Sequence, residues 1–408
     1  MPKKPDKVRL AVVGTGGIAG SHLNGYKTMK DAGYDRFEIV GVCDVNDERR
    51  AAFAAKVKEM FGWEPVHFKS AEELAKKAKK AGIIAADICT PHAFHHTAAV
   101  PLLEAGLDVM VEKPCGITIK ASDAIIAAAA KKNRIVAVAE QVRRGIRARA
   151  MNWAINEEKM IGDLRFLTVQ GFSHRDYAQS AGNYATQWRL IRLLTGGGLM
   201  FDAGAHFADM MDYLFGPVDT VSCWTGTFQD VDVPSPELGN RKMDVEDSWM
   251  SIIRFKSGLV CNWCWSFSAV GEPVAAQILY GSAGSARDRG GWMHTFQNGG
   301  DITFADGSKR TYEEIEADFR GHLSAEEFEK LFPCGVTNDI AIECWDFVDS
   351  VLNRRAPEID AQTTKWTKSL CLALYESAFL GGKLIKVKDV FSGKASKYQD
   401  AVNEYWKI

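Results

Sequence analysis

Val8-Arg9-Leu10-Ala11-Val12-Val13-Gly14-Thr15-Gly16-Gly17-Ile18-Ala19 is an apolar, strand-like run that breaks at a glycine turn and opens a helical pattern. The turn has the spacing G-x-G-x-x-A. Gly14 permits the tight bend, Gly16 lets the backbone approach a pyrophosphate, and Ala19 lets helix and strand pack closely. The helix N-terminus, with Gly17 and Ile18 in its first turn, then faces the phosphates. Working outward, strand-like runs at 37–44, 86–90, 108–112 and 134–140 alternate with helical patterns at 17–32, 47–61, 95–105 and 121–132. Ser70-Ala71-Glu72-Glu73 opens a further helix with a capping-box pattern. Strands alternating with helices predict a parallel sheet covered on both faces.

Beyond Gln141 the pattern changes. A helix over 144–160 leads into strand-like stretches at 163–173, 218–228, 248–255, 259–267 and 274–280, with Lys256-Ser257-Gly258 as a hairpin turn. Few helices interrupt them, so a largely antiparallel sheet is expected. Helices return at 338–354 and 364–381. Residues 230–244, rich in Pro, Gly and Asp, read as a surface loop, and 316–336 as a second loop or a short helical insert. The expected fold class is an α/β Rossmann domain followed by an α+β domain with an open, mostly antiparallel sheet. The domains are expected at 1–141 and 142–408, the final helices packing back on the first.

The 408 residues exceed one core of ordinary size, in line with two domains. A net charge of -2 carries no basic excess that would point to nucleic acid or an anionic membrane surface. The lysine-rich stretch 75–81 reads as a solvated helix face. Residues 1–9 are polar, without the apolar centre of a signal peptide, and no apolar run approaches membrane-span length. Nine scattered cysteines suggest reduced thiols and a cytoplasmic protein. Cys261 and Cys264 form a C-x-x-C pair inside a strand pattern, where positions i and i+3 face opposite sides. No metal site is expected there or elsewhere.

Four features carry chemistry beyond the glycine turn. Asp44 closes the second strand, where an acid accepts hydrogen bonds from ribose hydroxyls and repels a 2′-phosphate; this favours NAD, with NADP less favoured. Asp44 lies further from Gly14 than the usual ~20 residues, and Arg49 and Arg50 beside it could hold a phosphate. Thr90-Pro91-His92-Ala93-Phe94-His95 and Glu112-Lys113-Pro114 lie at ends of parallel strands, where open α/β sheets bind ligands. Lys113 is a candidate for contacting a reacting hydroxyl; alone, it reads equally as an exposed ion-paired side chain. Gly196-Gly197-Gly198 precedes Asp202 and His206, four residues apart and on one helix face. A carboxylate beside an imidazole fixes its orientation and raises its basicity, as a general base requires, although a helix cap plus a satisfied core histidine gives the same pattern.

Together these residues resemble the glucose–fructose oxidoreductase/inositol dehydrogenase/rhizopine-catabolism (Gfo/Idh/MocA) family. The resemblance runs from Gly14–Ala19 through Thr90-Pro91 with His95, Glu112-Lys113-Pro114, Trp188-Arg189 ahead of the triple glycine, and Asp202 with His206, to Asp346-Phe347, Ala356-Pro357 and Ser377-Ala378. It implies an active site between the two domains and homodimers or homotetramers through the second-domain sheet. Lys113 would hold the hydroxyl being oxidised. His206 would be the general base, with Asp202 as its partner, contributing roughly 10²–10⁴ in rate. The implied reaction is hydride transfer from a sugar, glycoside or polyol carbon to NAD. The implied alternatives are a redox-neutral, NAD-dependent glycoside hydrolase acting by transient oxidation, and a non-catalytic NAD sensor. Where many members carry an Asn or Gly run, this chain has Glu140-Gln141-Val142-Arg143-Arg144, which places Glu140, Gln141 and Arg143 near the nicotinamide and the substrate. His174 and Arg175, with Trp188 and Arg189, are expected to form a polar, aromatic-walled sugar pocket, or to end a solvated strand.

Overall fold

The computed structural model describes residues 6–290 and 293–408; Met1–Pro5, on which part of the N-terminal expectation falls, lie outside them. The chain divides into two units: the first runs through Gln141 and takes up Glu329–Lys365 again, and the second comprises Val142–Phe328 and Trp366–Lys407.

The first unit is built on β1 (Val8–Val13), β2 (Phe37–Cys43), β3 (Val66–Phe68), β4 (Ala85–Ile88), β5 (Asp108–Glu112) and β6 (Val136–Ala139). Every pairing is parallel, in the order β3-β2-β1-β4-β5-β6. This is the doubly wound nucleotide-binding order, with its switch point between β1 and β4. The helices between strands are α1 (Gly17–Asp31), α2 (Asp47–Phe61), α3 (Ala71–Ala81), α4 (His95–Glu104) and α5 (Ile119–Lys132). Their caps follow local chemistry: the side chains of Asn46, Ser70 and Thr118 accept first-turn amides, and Gly62, Gly82 and Asn133 close the C-termini with left-handed backbone.

Period-2 alternation along β1 splits the core. Val8, Leu10 and Val12 pack on one face with Leu23, Phe37, Phe53 and Val57. Ala11 and Val13 pack on the other with Leu102, Val109 and Ile125. Phe347, Val348, Val351 and Leu352, from the helix Asp339–Asn353, complete the first face. Arg354 clamps that segment to Asp108 at 2.6 Å, and Lys365 bonds Asp123 at 2.6 Å.

The second unit holds β7 (Leu164–Phe172), β8 (Val218–Gly226), β9 (Asp232–Val233), β10 (Arg241–Lys242), β11 (Ser248–Phe255), β12 (Val260–Ser266), β13 (Val274–Gly281), β14 (Gly284–Asp288), β15 (Gly300–Phe304), β16 (Lys309–Arg310) and β17 (Ile385–Lys386). Nine of them form a sheet in the order β16-β15-β14-β13-β7-β12-β11-β8-β17. It is antiparallel except at β7–β12. One face buries Val221, Trp249, Ile253, Cys261 and Trp263, and Phe207 of the helix Gly204–Phe215 stacks on Trp263 at 3.9 Å. The other face exposes Phe166, Trp224, Met250, Ile252 and Tyr280. Cys261 is buried and Cys264 half-buried, on opposite faces of β12.

Residues 230–244 form a loop carrying only the short β9–β10 hairpin. Residues 316–336 take the helical form, in Tyr312–His322, with a capping box between Thr311 and Glu314, and in Ala325–Leu331. No helix among the described residues is long and apolar enough to cross a membrane.

Candidate active site

The candidate residues fall on both units, each carrying its own set. In the first unit they line the carboxyl ends of the parallel strands, where helix N-termini and strand ends converge. Gly14 has φ +84°, and a Cβ there would lie 2.8 Å from the Cys89 carbonyl, so the turn beside β4 admits only glycine. Gly16 caps α1 with no side-chain hydrogen bond, and a Cβ on Gly16 or Gly17 would meet nothing within 4 Å. First-turn amides lacking a side-chain cap, facing open space, fit a diphosphate. Thr90, at the end of β4, adds a buried hydroxyl without a partner among the described residues. These features fit a dinucleotide.

Asp44 is bonded within the protein through both carboxylate oxygens. Its Oδ2 accepts the Thr15 amide and the Thr15 hydroxyl, both at 2.8 Å, and its Oδ1 accepts the Asn46 amide at 2.8 Å. The carboxylate thus knits the glycine turn to the end of β2. Arg50 is buried and donates to the Asp44 carbonyl at 2.6 Å and to Asp47, which commits its guanidinium to the protein. Arg49 lies 3.5 Å from Asp44 and is partly exposed.

His95 was expected at the cofactor; its ring is fully buried and lies 2.9 Å from the Pro114 carbonyl and 2.8 Å from that of Thr90. Burial, then the neighbouring His92, pushes its pKa down to about 4. It acts as a bracket between the end of β4 and the segment following Lys113. Lys113 itself is half-buried at the end of β5, and its amide donates to Glu112 Oε2 at 3.0 Å. Glu140 is buried and Gln141 half-buried after β6.

In the second unit, His206 is buried on the helix Gly204–Phe215, one residue past the short helix Leu199–Asp202, which ends in Asp202. Asp202 accepts the Arg189 Nε at 2.8 Å, and the Arg189 guanidinium lies over the Trp188 ring at 4.3 Å. Asp202, read in the sequence as the partner of His206, is thus bonded to Arg189, which the sequence reading grouped with Trp188, His174 and Arg175. The His206 ring meets His294 edge-on, with centroids 4.6 Å apart. His294 Nδ1 lies 2.9 Å from the Gln297 amide oxygen, so that nitrogen donates. Sequence reading missed His294: a lone histidine in the β14–β15 connection has no motif around it.

Arg143, expected at the substrate, is held by two bonds to Asp209, one of 2.6 Å, and lies over the Tyr213 ring. It anchors the helix that carries His206. His174 and Arg175 follow β7, where Arg175 bonds Ser180 and its carbonyl accepts from Gln229. The triple glycine has a structural cause. A Cβ on Gly197 would lie 2.4 Å from the Tyr375 hydroxyl, and one on Gly198 2.6 Å from the Glu246 carboxylate. Glu246 accepts the Gly198 and Met200 amides at 3.0 and 2.9 Å, and the Tyr398 hydroxyl donates to the Gly196 carbonyl.

Residues 8–140 match the oxidoreductase family with NAD-binding Rossmann fold, and 153–287 match the GFO/IDH/MocA C-terminal domain. The chain is 28% identical over 269 residues to levoglucosan dehydrogenase of Pseudarthrobacter phenanthrenivorans, a match covering 62% of this chain and 66% of the relative. It is 27% identical over 164 residues to glycosyl hydrolase family 109 protein 1 of Akkermansia muciniphila, 40% of this chain and 33% of that one. A levoglucosan dehydrogenase structure in complex with NADH and L-sorbose superposes with a TM-score of 0.72 at 21% identity, covering 94% of this chain and 100% of the other.

Proposed function

Because the chain belongs to the GFO/IDH/MocA family of NAD-binding oxidoreductases, we propose that it oxidises a hydroxyl-bearing carbon of a sugar, glycoside or polyol. The observation that carries this reading is Lys113, at a strand end of the unit that also presents the open glycine turn and the unpartnered Thr90 hydroxyl. Gly16, Gly17 and Thr90 would hold the dinucleotide and Asp44 its ribose. The bound nicotinamide supplies a hydride acceptor. Lys113 orients the hydroxyl, and His206 takes its proton on an imidazole nitrogen as the carbon–hydrogen electron pair departs. Arg189 and Trp188, with Asp202, brace the sugar side. Asp44, with Arg50 already committed to the protein, favours NAD over NADP.

A second reading is favoured by the match to a glycosyl hydrolase family 109 protein. In it the same residues work a redox-neutral cycle that returns the hydride and cleaves a glycoside. One assay separates the two. Purified protein is given NAD with levoglucosan and a panel of nitrophenyl glycosides, and NADH and nitrophenolate are followed together. NADH accumulating without release is the expected result; NAD-dependent release without NADH establishes the hydrolase. Lys113→Met and His206→Asn should each lower turnover by about 10²-fold or more while sparing NADH binding, and unchanged turnover in both would sink the assignment.

We also assign the exposed face of the second sheet as the seam between copies. Across it Trp224 pairs with Met250, and Phe166 with Val260 and Tyr280. The nine cysteines, all free, suit a reducing compartment such as the cytoplasm.

A further inference from the structure

Four ionisable side chains from four elements meet behind Lys113. His22 comes from α1, Asp87 from β4, Glu112 from the end of β5, and Glu343 from the helix Asp339–Asn353. The His22 ring is fully buried. Its Nδ1 lies 3.0 and 3.1 Å from the two Asp87 carboxylate oxygens. Its Nε2 lies 3.0 Å from Glu112 Oε1 and 3.5 Å from Glu343 Oε1.

An ionised carboxylate only accepts hydrogen bonds. With Asp87 and Glu112 both ionised, the two ring nitrogens that face their oxygens at bonding distance both carry protons. A neutral ring would set a lone pair against a carboxylate oxygen where no water can intervene. Burial opposes the charge on His22, but the charge and hydrogen bonds of the Asp87 carboxylate hold the imidazole well above its usual range. Burial also pushes Glu112 up, yet the bond and charge of His22, then the charge of Lys113, hold it below the usual carboxylate range. Cys89 and Cys344 also face His22, and Tyr26 interacts with Asp87. Burial raises all three, so they stay neutral.

His22, Asp87 and Cys89 are also donor types that bind transition metals, and their ligand atoms lie within 4.8 Å of one another. The distances favour a proton instead. The nitrogen and the carboxylate already stand at hydrogen-bond separation, and a doubly protonated ring has no lone pair for an ion.

Glu112 links this cluster outward. Its Oε1 takes the His22 ring and its Oε2 takes the Lys113 amide. We propose that His22 is a permanent buried cation that positions Lys113 through Glu112. The inference rests on the reading of Lys113 given above. Without the imidazolium, Asp87, Glu112 and Glu343 would share a buried site without that counter-ion, and protonation is the least costly response. A protonated Glu112 holds the Lys113 amide weakly, and the geometry returns only as rising pH ionises it.

The test compares His22→Gln, Glu112→Gln, the double variant and Lys113→Met, with levoglucosan and NAD as the assay pair. At pH 7, His22→Gln should lower kcat by about 10²-fold, the cost of a small misplacement at a reacting centre, with NADH binding unchanged. Its kcat should recover as pH rises, moving the acid limb upward, and adding Glu112→Gln should cost nothing further. A loss that is flat with pH and additive with Glu112→Gln is ordinary packing and overturns the proposal. Nitrogen NMR of the histidine-labelled native chain, which needs neither substrate nor a folded variant, should show both His22 nitrogens protonated from roughly pH 6 to 9. A neutral ring at pH 7 overturns the proposal. An active Lys113→Met enzyme overturns the reading of Lys113 and the inference with it. An inactive one beside a His22→Gln enzyme of native kcat and profile overturns the inference alone.

Discussion

The chain has two glycine-rich turns, each opening a helix, and in sequence they read alike. Gly14–Ala19 leaves space: Gly16 and Gly17 face nothing within 4 Å, and no side chain caps α1. Gly196–Gly198 leaves none. Tyr375 and Glu246 occupy the volume a side chain would need, and Glu246 takes the amides that a ligand would otherwise bind. The first turn is glycine so that something else can approach; the second is glycine because the protein is already there. A glycine motif thus identifies a binding turn only when the space before it is empty and its amides lack a built-in acceptor.

The largest effect that would break this contrast is at Gly197. Gly197→Ala forces a Cβ onto the Tyr375 ring and should cost about 3 kcal/mol in denaturant unfolding, the upper end for overpacking, with NADH affinity per folded molecule unchanged. Native stability with lost turnover would make this turn a ligand loop after all. Next, Glu246→Ala strands two amides and should cost about 2 kcal/mol. Burial pushes Glu246 up to about 7, against the stabilising pull of the Met200 and Gly198 amides. A carboxyl raised in the fold contributes stability that is complete below its unfolded pKa and is lost as pH rises through the folded value. The native melting temperature should therefore fall as pH rises from about 4.5 toward 7 and level off above it, and that fall should vanish in Glu246→Ala; thermal melts across pH check both. Smallest in stability is Gly17→Ala. With open space and helical backbone it should gain about 0.5–1 kcal/mol. NADH titration should show affinity falling roughly tenfold, because the new methyl stands where the phosphates approach. A variant that is more stable and binds less separates the two kinds of glycine.

The parallel order of the first unit was legible because β1, β2, β4, β5 and β6 are fully or largely apolar and alternate with capped helices. In the second, β11, β12 and β13 were legible as apolar and aromatic runs bounded by turn residues. The strands β14, β15 and β16 were not: they have two to five residues and carry Ser285, Arg287 and Lys309 among few apolar positions. The helix Tyr312–His322 left a readable trace, Thr311 three residues before Glu314, ahead of a narrow stripe of Ile315 and Phe319. Site residues divide the same way. Gly14, Asp44 and Lys113 stand at strand ends that local pattern locates. The Arg143–Asp209 pair and the partners of His22 lie 65 or more residues apart, and no local spacing encodes such contacts.

The helix Asp339–Asn353 bears on how the protein is made. Phe347, Val348, Val351 and Leu352 belong to a core cluster whose members outside this helix all precede Gln141. A nascent chain emerging from the ribosome therefore leaves part of one face of its first sheet uncovered throughout synthesis of the entire β-rich segment. The unit begun first is closed late, and a gene fragment ending near residue 141 would yield a sheet lacking part of its cover.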